Sequence, residues 1–328
     1  MSDQPLLPVY PENALIMAPL SGFTDLAYRR AAYRGGCRYA FTEMVDAASL
    51  AYANGNGEYL LKRGEEETFL AVQLVGADEE LLKKASAKLN ERDFSLLDFN
   101  LGCPVPKVVK KGAGAALGRN IAKALSCFAA IASESRFTLT AKMRILDELD
   151  PAPTLELCAG LVERGAKALT IHGRTREHFY TGQVSFDIIR AVREAFPDIP
   201  VIANGGVNSR ESYDLIRRET GCSRVMLAQG IMGNPWLFSE LSDNALPPTL
   251  EQWREMVHYH VSEMIALYGE VSAMRQARKI VHDYLKGRGF PASLRAEAST
   301  LASMSDLESL LARAETVSVS GTSRKISL

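Results

Sequence analysis

The chain has 328 residues, 47% of them hydrophobic and 23% charged, and a formal net charge of −1. That is the profile of a globular protein with a sizeable core, long enough for one barrel and a smaller appendage, and its bulk charge gives no support to a nucleic-acid partner. No run of about 18 apolar residues occurs, which argues against a membrane span.

The chain opens with a polar, proline-broken segment, "MSDQPLLPVYPEN", which lacks a secretory pattern. Residues 1–13 are expected to be an N-terminal extension, and the protein is expected to be cytoplasmic. Short apolar runs bounded by turn residues then recur: "ALIMAPL", "YAFTEM", "TFLAVQLVG", "SLLDFNLG", "LTAKMRI", "ALTIHGR", "IPVIANGG" and "SRVMLAQG". Helical patterns such as "DEELLKKASAKLNER", "PTLELCAGLVERG" and "FDIIRAVREAF" separate them. Strand–helix alternation with strands apolar on both faces predicts a parallel sheet covered by helices. Eight units over residues 14–243 predict an α/β fold, a (β/α)8 TIM barrel. No GxGxxG follows the first strand, which disfavours the open Rossmann sheet.

Past "ALPPTLEQW" the pattern becomes helical without strands, and residues 244–314 read as a small C-terminal helical domain. Residues 315–328 read as a flexible tail. Two segments are locally basic, "PKVVKKGAGAALGR" and "MRQARKIVHDYLKGRGFPASLR".

In a barrel of this kind, working residues stand at the C-terminal ends of the strands. Here those ends carry Ser21, Glu43, Gln73, Asn100 with Cys103, Lys142 with Arg144, His172 with Arg174, Asn204, and Gln229. Together they predict one polar pocket. The glycine-rich turns "IANGGV" and "LAQGIMGNPW" suit a phosphate, because backbone N–H groups can approach it where no Cβ intervenes. A lysine such as Lys142, pointing from an apolar strand into the mouth, must be paired or used. Beside an isoalloxazine ring it would stabilise the charge of reduction, and Gln73 could both donate to and accept from the ring's pyrimidine edge. One phosphate site, one lysine and one amide point to FMN. Arg144 and Arg174 could hold an anionic or carbonyl-rich substrate.

Five cysteines, Cys37, Cys103, Cys127, Cys158 and Cys222, lie at irregular spacing without CxxC or HxxxH, so neither a disulfide framework nor a structural metal is expected. Cys103 sits in a Gly-Cys-Pro turn at a strand end. Its thiol, with an ordinary pKa of about 8.5, is mostly protonated at neutral pH and could deliver a proton as hydride arrives from a flavin.

These residues resemble the dihydrouridine synthase family, most closely its bacterial B-type branch. "MAPLSGFTD", "TEMV", "VQLVG", "DFNLGCPVPKVVKKGAGAAL", "AKMR", "IHGRTRE", "VIANGGV" and "GNPW" stand in that family's order, and "RKIVHDYLKG" is similar to its helical RNA-binding domain. The resemblance implies an FMN enzyme, reduced by NADPH, that saturates the C5–C6 bond of uridines in tRNA. It implies that Cys103 is the acid at C5. It places Pro19, Leu20, Ser21, Gln73, Lys142, His172, Asn204, Gly205, Gly206, Ala228 and Gln229 at the cofactor, and Asn100 and Arg174 on the substrate side, where Arg144 is expected beside them. Arg278, Lys279 and Arg288 are expected to contact RNA. The family's usual arginine in the last turn is replaced by Gln229, and "RKI" stands where Arg-Lys-His is usual. No metal and no membrane partner are expected, and a monomer is expected. Two other readings compete: an FMN barrel oxidoreductase acting on a small pyrimidine, and an RNA-binding barrel with altered catalysis.

Overall fold

The computed structural model describes residues 9–52 and 58–319. Eight strands form one parallel sheet: β1 (Leu15–Met17), β2 (Ala40–Asp46), β3 (Leu70–Val75), β4 (Leu96–Leu101), β5 (Leu139–Arg144), β6 (Leu169–His172), β7 (Val201–Asn204) and β8 (Arg224–Leu227). Each strand pairs with its neighbour in sequence from β2 to β8, and β8 pairs with β1. A parallel bridge between Ile16 and Tyr39, with the Met17 N–H donating to the Tyr39 carbonyl at 2.8 Å, closes the ring just before β2. The expected (β/α)8 barrel is the observed one.

The interior follows the period of two along each strand. Ile16, Phe41, Ala71, Leu96, Ala168, Ile202 and Met226 belong to one buried cluster. Two residues further along β3, β4, β6 and β7, on the same side, stand Gln73, Asp98, Thr170 and Asn204, with Ala18 and Ala228 just past β1 and β8; in β2 a register shift between Phe41 and Met44 interrupts the alternation and sets Met44 opposite Gln73. The barrel is therefore apolar towards the strand starts and mostly polar towards the strand ends. Tyr10 joins the apolar cluster, with its ring 5.8 Å from Tyr39 and 5.4 Å from Phe69. The Arg224 Nε donates to the Tyr10 carbonyl at 2.9 Å. Within the expected extension over residues 1–13, Tyr10 thus contributes a buried aromatic to the barrel core; residues 1–8 lie outside the described residues.

The covering helices begin where their sequences supply caps. Asp78 accepts from the Leu81 N–H ahead of helix Glu79–Leu89, and Asn120 does so from Lys123 ahead of Ile121–Glu134. Before Arg210–Thr220, Ser209 and Ser212 form a reciprocal capping box.

Two compact units divide the chain. Among the described residues, the barrel unit comprises those up to Gly22 together with those of Arg38–Ala228, and the second comprises Phe23–Cys37 with those from Gln229 onward. The division expected from the sequence lies at residues 243–244, and in this grouping helix Leu26–Arg34 falls in the second unit. The reason lies in side chains that a periodicity cannot show. Arg30 pairs with Glu263 at 2.5 Å, and the Tyr268 hydroxyl donates to Asp25, the cap of that helix, at 2.8 Å. Within the second unit, helices Leu250–Tyr268 and Glu270–Leu285 pack around Trp253, His260 and Tyr284. The Trp253 indole donates to the Tyr284 carbonyl at 3.1 Å, and His260 Nδ1 lies 3.1 Å from the Tyr284 hydroxyl. Helix Met304–Val319 runs through the start of the segment expected to be a loose tail; residues 320–328 lie outside the described residues.

Candidate active site at the barrel mouth

Strand register sets the site. Gln73 on β3 faces Asp98 on β4, which faces Thr140 on β5. One level nearer the strand ends, Asn100 faces Lys142. Beyond these, Arg144, His172 and Asn204 line up across β5, β6 and β7.

Asn100 does not stand alone. Its Oδ1 accepts from the backbone N–H groups of Gly102 and Cys103, at 3.0 and 2.9 Å. Its Nδ2 donates to Gln73 Oε1 at 2.7 Å, and Gln73 Nε2 donates to Asp98 at 2.7 Å. Thr140 donates to the other Asp98 oxygen at 2.6 Å. Asp98 is fully buried, and burial pushes its carboxyl up to about 6 against the hydrogen bonds that favour the anion. Gln73, expected at the ring edge, commits part of its amide to this network.

The loop after β4 places Cys103. The Ala115 N–H donates to the Cys103 carbonyl at 2.9 Å, and Arg144 Nε donates to the Gly102 carbonyl at 2.9 Å. Gly114, at φ 59°, passes so near that a Cβ there would lie 2.6 Å from the Cys103 carbonyl oxygen. Cys103 is partly exposed, whereas Cys37, Cys127, Cys158 and Cys222 are buried. Burial raises the Cys103 thiol's pKa although Lys142 and Arg144 pull it down, so the thiol is held protonated.

Lys142 Nζ donates to Asn204 Oδ1 at 3.0 Å, and the Asn204 amide donates on to the Met226 carbonyl at 2.8 Å. Among the described residues no carboxylate forms an ion pair with Lys142. Burial, with the charge of Arg144, lowers its pKa to about 8. His172 is held neutral, its pKa pushed well down by burial and then by Lys142, Arg144 and Arg174. Arg174 Nη1 stands 3.4 Å from His172 Nε2; a guanidinium only donates, so Nε2 accepts and the ring proton is on Nδ1.

Arg144 is 2% exposed and is anchored by Nε and by Nη1, which donates to the Thr175 carbonyl at 2.9 Å. Its Nη2 is buried and, among the described residues, has no side-chain or backbone hydrogen-bond partner within ordinary geometry. The Tyr180 ring lies 5.4 Å from this guanidinium. Arg174 is committed to its own loop, donating twice to the Gly182 carbonyl at 3.1 and 3.0 Å.

The donor set suits a planar, electron-accepting cofactor that carries a phosphate. Lys142 and Arg144 supply positive charge and, among the described residues, neither forms an ion pair with an acid. At Gly205 and Gly206 the backbone has φ 132° and 72°, and a Cβ on Gly205 would lie 3.1 Å from the His172 ring. Pro19 and Leu20 follow β1 and lead into a turn that begins at Ser21, where the Gly22 N–H donates to Glu43 at 2.5 Å. Ala228 ends the barrel unit, packed on its apolar cluster. Gln229 opens the short 3-10 turn Gln229–Ile231 and belongs to the second unit.

In that second unit the three expected RNA contacts differ from one another. Arg288 is 8% exposed and donates to the Gly233 carbonyl and to Asn234, at 3.1 and 3.2 Å, with Trp236 5.6 Å away. Arg278 Nε donates to the Leu301 carbonyl at 2.9 Å. Lys279 is exposed, its Nζ 4.2 Å from the centre of the Phe23 ring. With Arg275, His282 and Lys286 it falls at i, i+4, i+7 and i+11 along helix Glu270–Leu285 and its cap, and that spacing is one face.

The family model described as "Dihydrouridine synthase (Dus)" matches residues 16–320. The chain belongs to the dihydrouridine synthase family. It is 32% identical to tRNA-dihydrouridine synthase B of Shewanella oneidensis over 84% of this chain and 87% of that one. It is 32% identical to a probable tRNA-dihydrouridine synthase of Rhizobium leguminosarum over 92% and 94%, and 31% identical to one of Treponema pallidum over 85% and 86%.

Three residues of this site, Asp98, Thr140 and Tyr180, are not among those expected from the sequence. The first had a signal: Asp98 is two residues before Asn100 in a strand, so both face the barrel interior. Tyr180 had none, because its place depends on the course of the loop after β6.

Proposed function

We propose that this dihydrouridine synthase reduces the C5–C6 double bond of uridine in tRNA, with FMN as cofactor, NAD(P)H as reductant and Cys103 as the proton donor. The tRNA substrate is the one named for its relatives. The observation that carries the assignment of Cys103 is a thiol kept protonated by burial, on a loop pinned by Asn100 and Gly114, beside two cations without an acidic partner.

Bound FMN would supply the hydride for C6. Every remaining task falls to side chains already in place. Lys142, oriented by Asn204, offers an ammonium whose depressed pKa a developing negative charge would restore. The unpartnered Arg144 Nη2 offers one directed hydrogen bond to a carbonyl of the substrate base. Cys103 gives its proton to C5, and the uracil must first leave its stack to reach the mouth. His172, neutral, stays out of that proton transfer as an acid. The enzyme is expected to bind its RNA with the exposed basic face of helix Glu270–Leu285.

Cys103→Ala tests the assignment. The variant should take up FMN and oxidise NADPH at the wild-type rate while dihydrouridine formation falls by about a hundredfold or more, the usual span for loss of a general acid. A variant that still makes dihydrouridine at the wild-type rate removes Cys103 from the chemistry.

A further inference from the structure

The chain Thr140–Asp98–Gln73–Asn100–Cys103 has a direction. A carboxylate only accepts, so Gln73 must turn its Nε2 towards Asp98. That leaves Gln73 Oε1 facing Asn100, which must then turn its own Nδ2 towards Gln73. Asn100 Oδ1 is thereby left for the two backbone N–H groups of Gly102 and Cys103, at 3.0 and 2.9 Å. Each amide in the row has two possible orientations, and the acceptor-only carboxylate at one end selects one for all of them. Gln73 and Asp98 are fully buried and Thr140 and Asn100 nearly so, so water cannot readily repair a wrong orientation.

We propose that Asp98 is a positioning residue that sets the polarity of this relay, and so fixes both the face Gln73 presents to the mouth and the seat of the Cys103 loop. Its relevance to catalysis rests on the reading of Cys103 given above; the relay itself does not. Thr140 is the second half of the device. Its hydroxyl donates to Asp98 at 2.6 Å, but a hydroxyl can also accept.

That reversibility gives the test. In Asp98→Asn, the new amide can keep its oxygen on Gln73 and turn its NH2 to the Thr140 hydroxyl, so the relay keeps its direction. In Thr140→Val, the carboxylate still accepts from Gln73. In the double variant the amide introduced at position 98 finds no acceptor on the β5 side. If it turns, Gln73 and then Asn100 must turn with it, and Asn100 would meet the two loop N–H groups with its own donor. One link of the relay must break.

The readout is the rate at which iodoacetamide alkylates Cys103 in the full-length protein, followed by peptide mass. The other four cysteines are buried, so the probe reports one site. Each single variant should react within about twofold of wild type, and the double variant about tenfold faster as the loop loosens. A double variant whose rate is only the product of the two singles overturns the proposal, because independent packing losses would behave so. Should the double variant not fold, the exchanged pair Asp98→Asn with Asn100→Asp carries the test. It reverses every bond in the row from position 98 to position 100, so it should recover the thermal stability that Asn100→Asp alone loses. Failure to recover that stability would also overturn the relay. Neither result depends on dihydrouridine formation, so failure of the relay and failure of the proposed reaction remain distinguishable.

Discussion

At the scale of single residues, the site is built by withholding partners. Lys142 has an amide where a carboxylate would be the usual companion of a buried ammonium, and burial takes its pKa from 10.5 to about 8. A folded-state pKa below the unfolded one means that the unfolded chain binds the extra proton. The penalty is therefore complete below about pH 8 and is relieved as pH rises from there towards 10.5. Lys142→Met should accordingly stabilise the cofactor-free protein at pH 7, by about 1–2 kcal/mol, with the gain shrinking between pH 8 and 10.5. Urea unfolding of both proteins across that range checks it; parallel pH profiles would show that Lys142 is not strained by burial. The same substitution should weaken FMN retention, which is the usual exchange of stability for a working site.

At the scale of elements, the loop Gly102–Ala115 is held by fit as well as by hydrogen bonds. Gly114, at φ 59° and ψ −129°, occupies backbone space that side chains rarely enter. Gly114→Ala would put a methyl 2.6 Å from the Cys103 carbonyl oxygen and 2.9 Å from Val108 Cγ1. It should cost about 1–3 kcal/mol in thermal unfolding and shift Cys103 alkylation. Gly165→Ala, where nothing lies within 4 Å of the new methyl, should carry only the backbone strain and leave Cys103 unaffected. Much of this element was legible beforehand. Strand β4 reads "LLDFNL", and a period of two puts Asp98 and Asn100 on one face; the Gly-Cys-Pro turn follows at once. The eight strands were legible for the same reason, since each is a short apolar run with its polar residue at the end. What escaped was set by partners distant in sequence. Helix Leu26–Arg34 reads as a barrel helix until Arg30 is seen paired with Glu263. Nor does the strand pattern show that the Gln73 amide is bonded to both Asp98 and Asn100.

At the scale of the whole molecule, a net charge of −1 cannot hold an RNA by bulk attraction, so affinity must come from a local face. Charge along the chain did not distinguish which basic residues form it. Arg288 lies in the basic segment but is buried, with Nη2 donating to Gly233 and Asn234; and Ile280, where the family's usual histidine would be, is buried. Arg275, Lys279 and Lys286 are exposed along one face of their helix, with His282 between them. Reversing all three charges should weaken RNA binding at low salt and flatten its dependence on salt. Each phosphate contact contributes about 0.7–0.9 to the slope of log K against log salt, so loss of three contacts should lower that slope by about 2–3. Arg288→Glu should behave differently, leaving the buried Gly233 carbonyl and the half-buried Asn234 side chain without this donor and lowering thermal stability before it alters the slope. A triple reversal that binds RNA with the wild-type slope would move the interface off this helix. An Arg288→Glu protein of normal stability that binds with a reduced slope would return that residue to the interface.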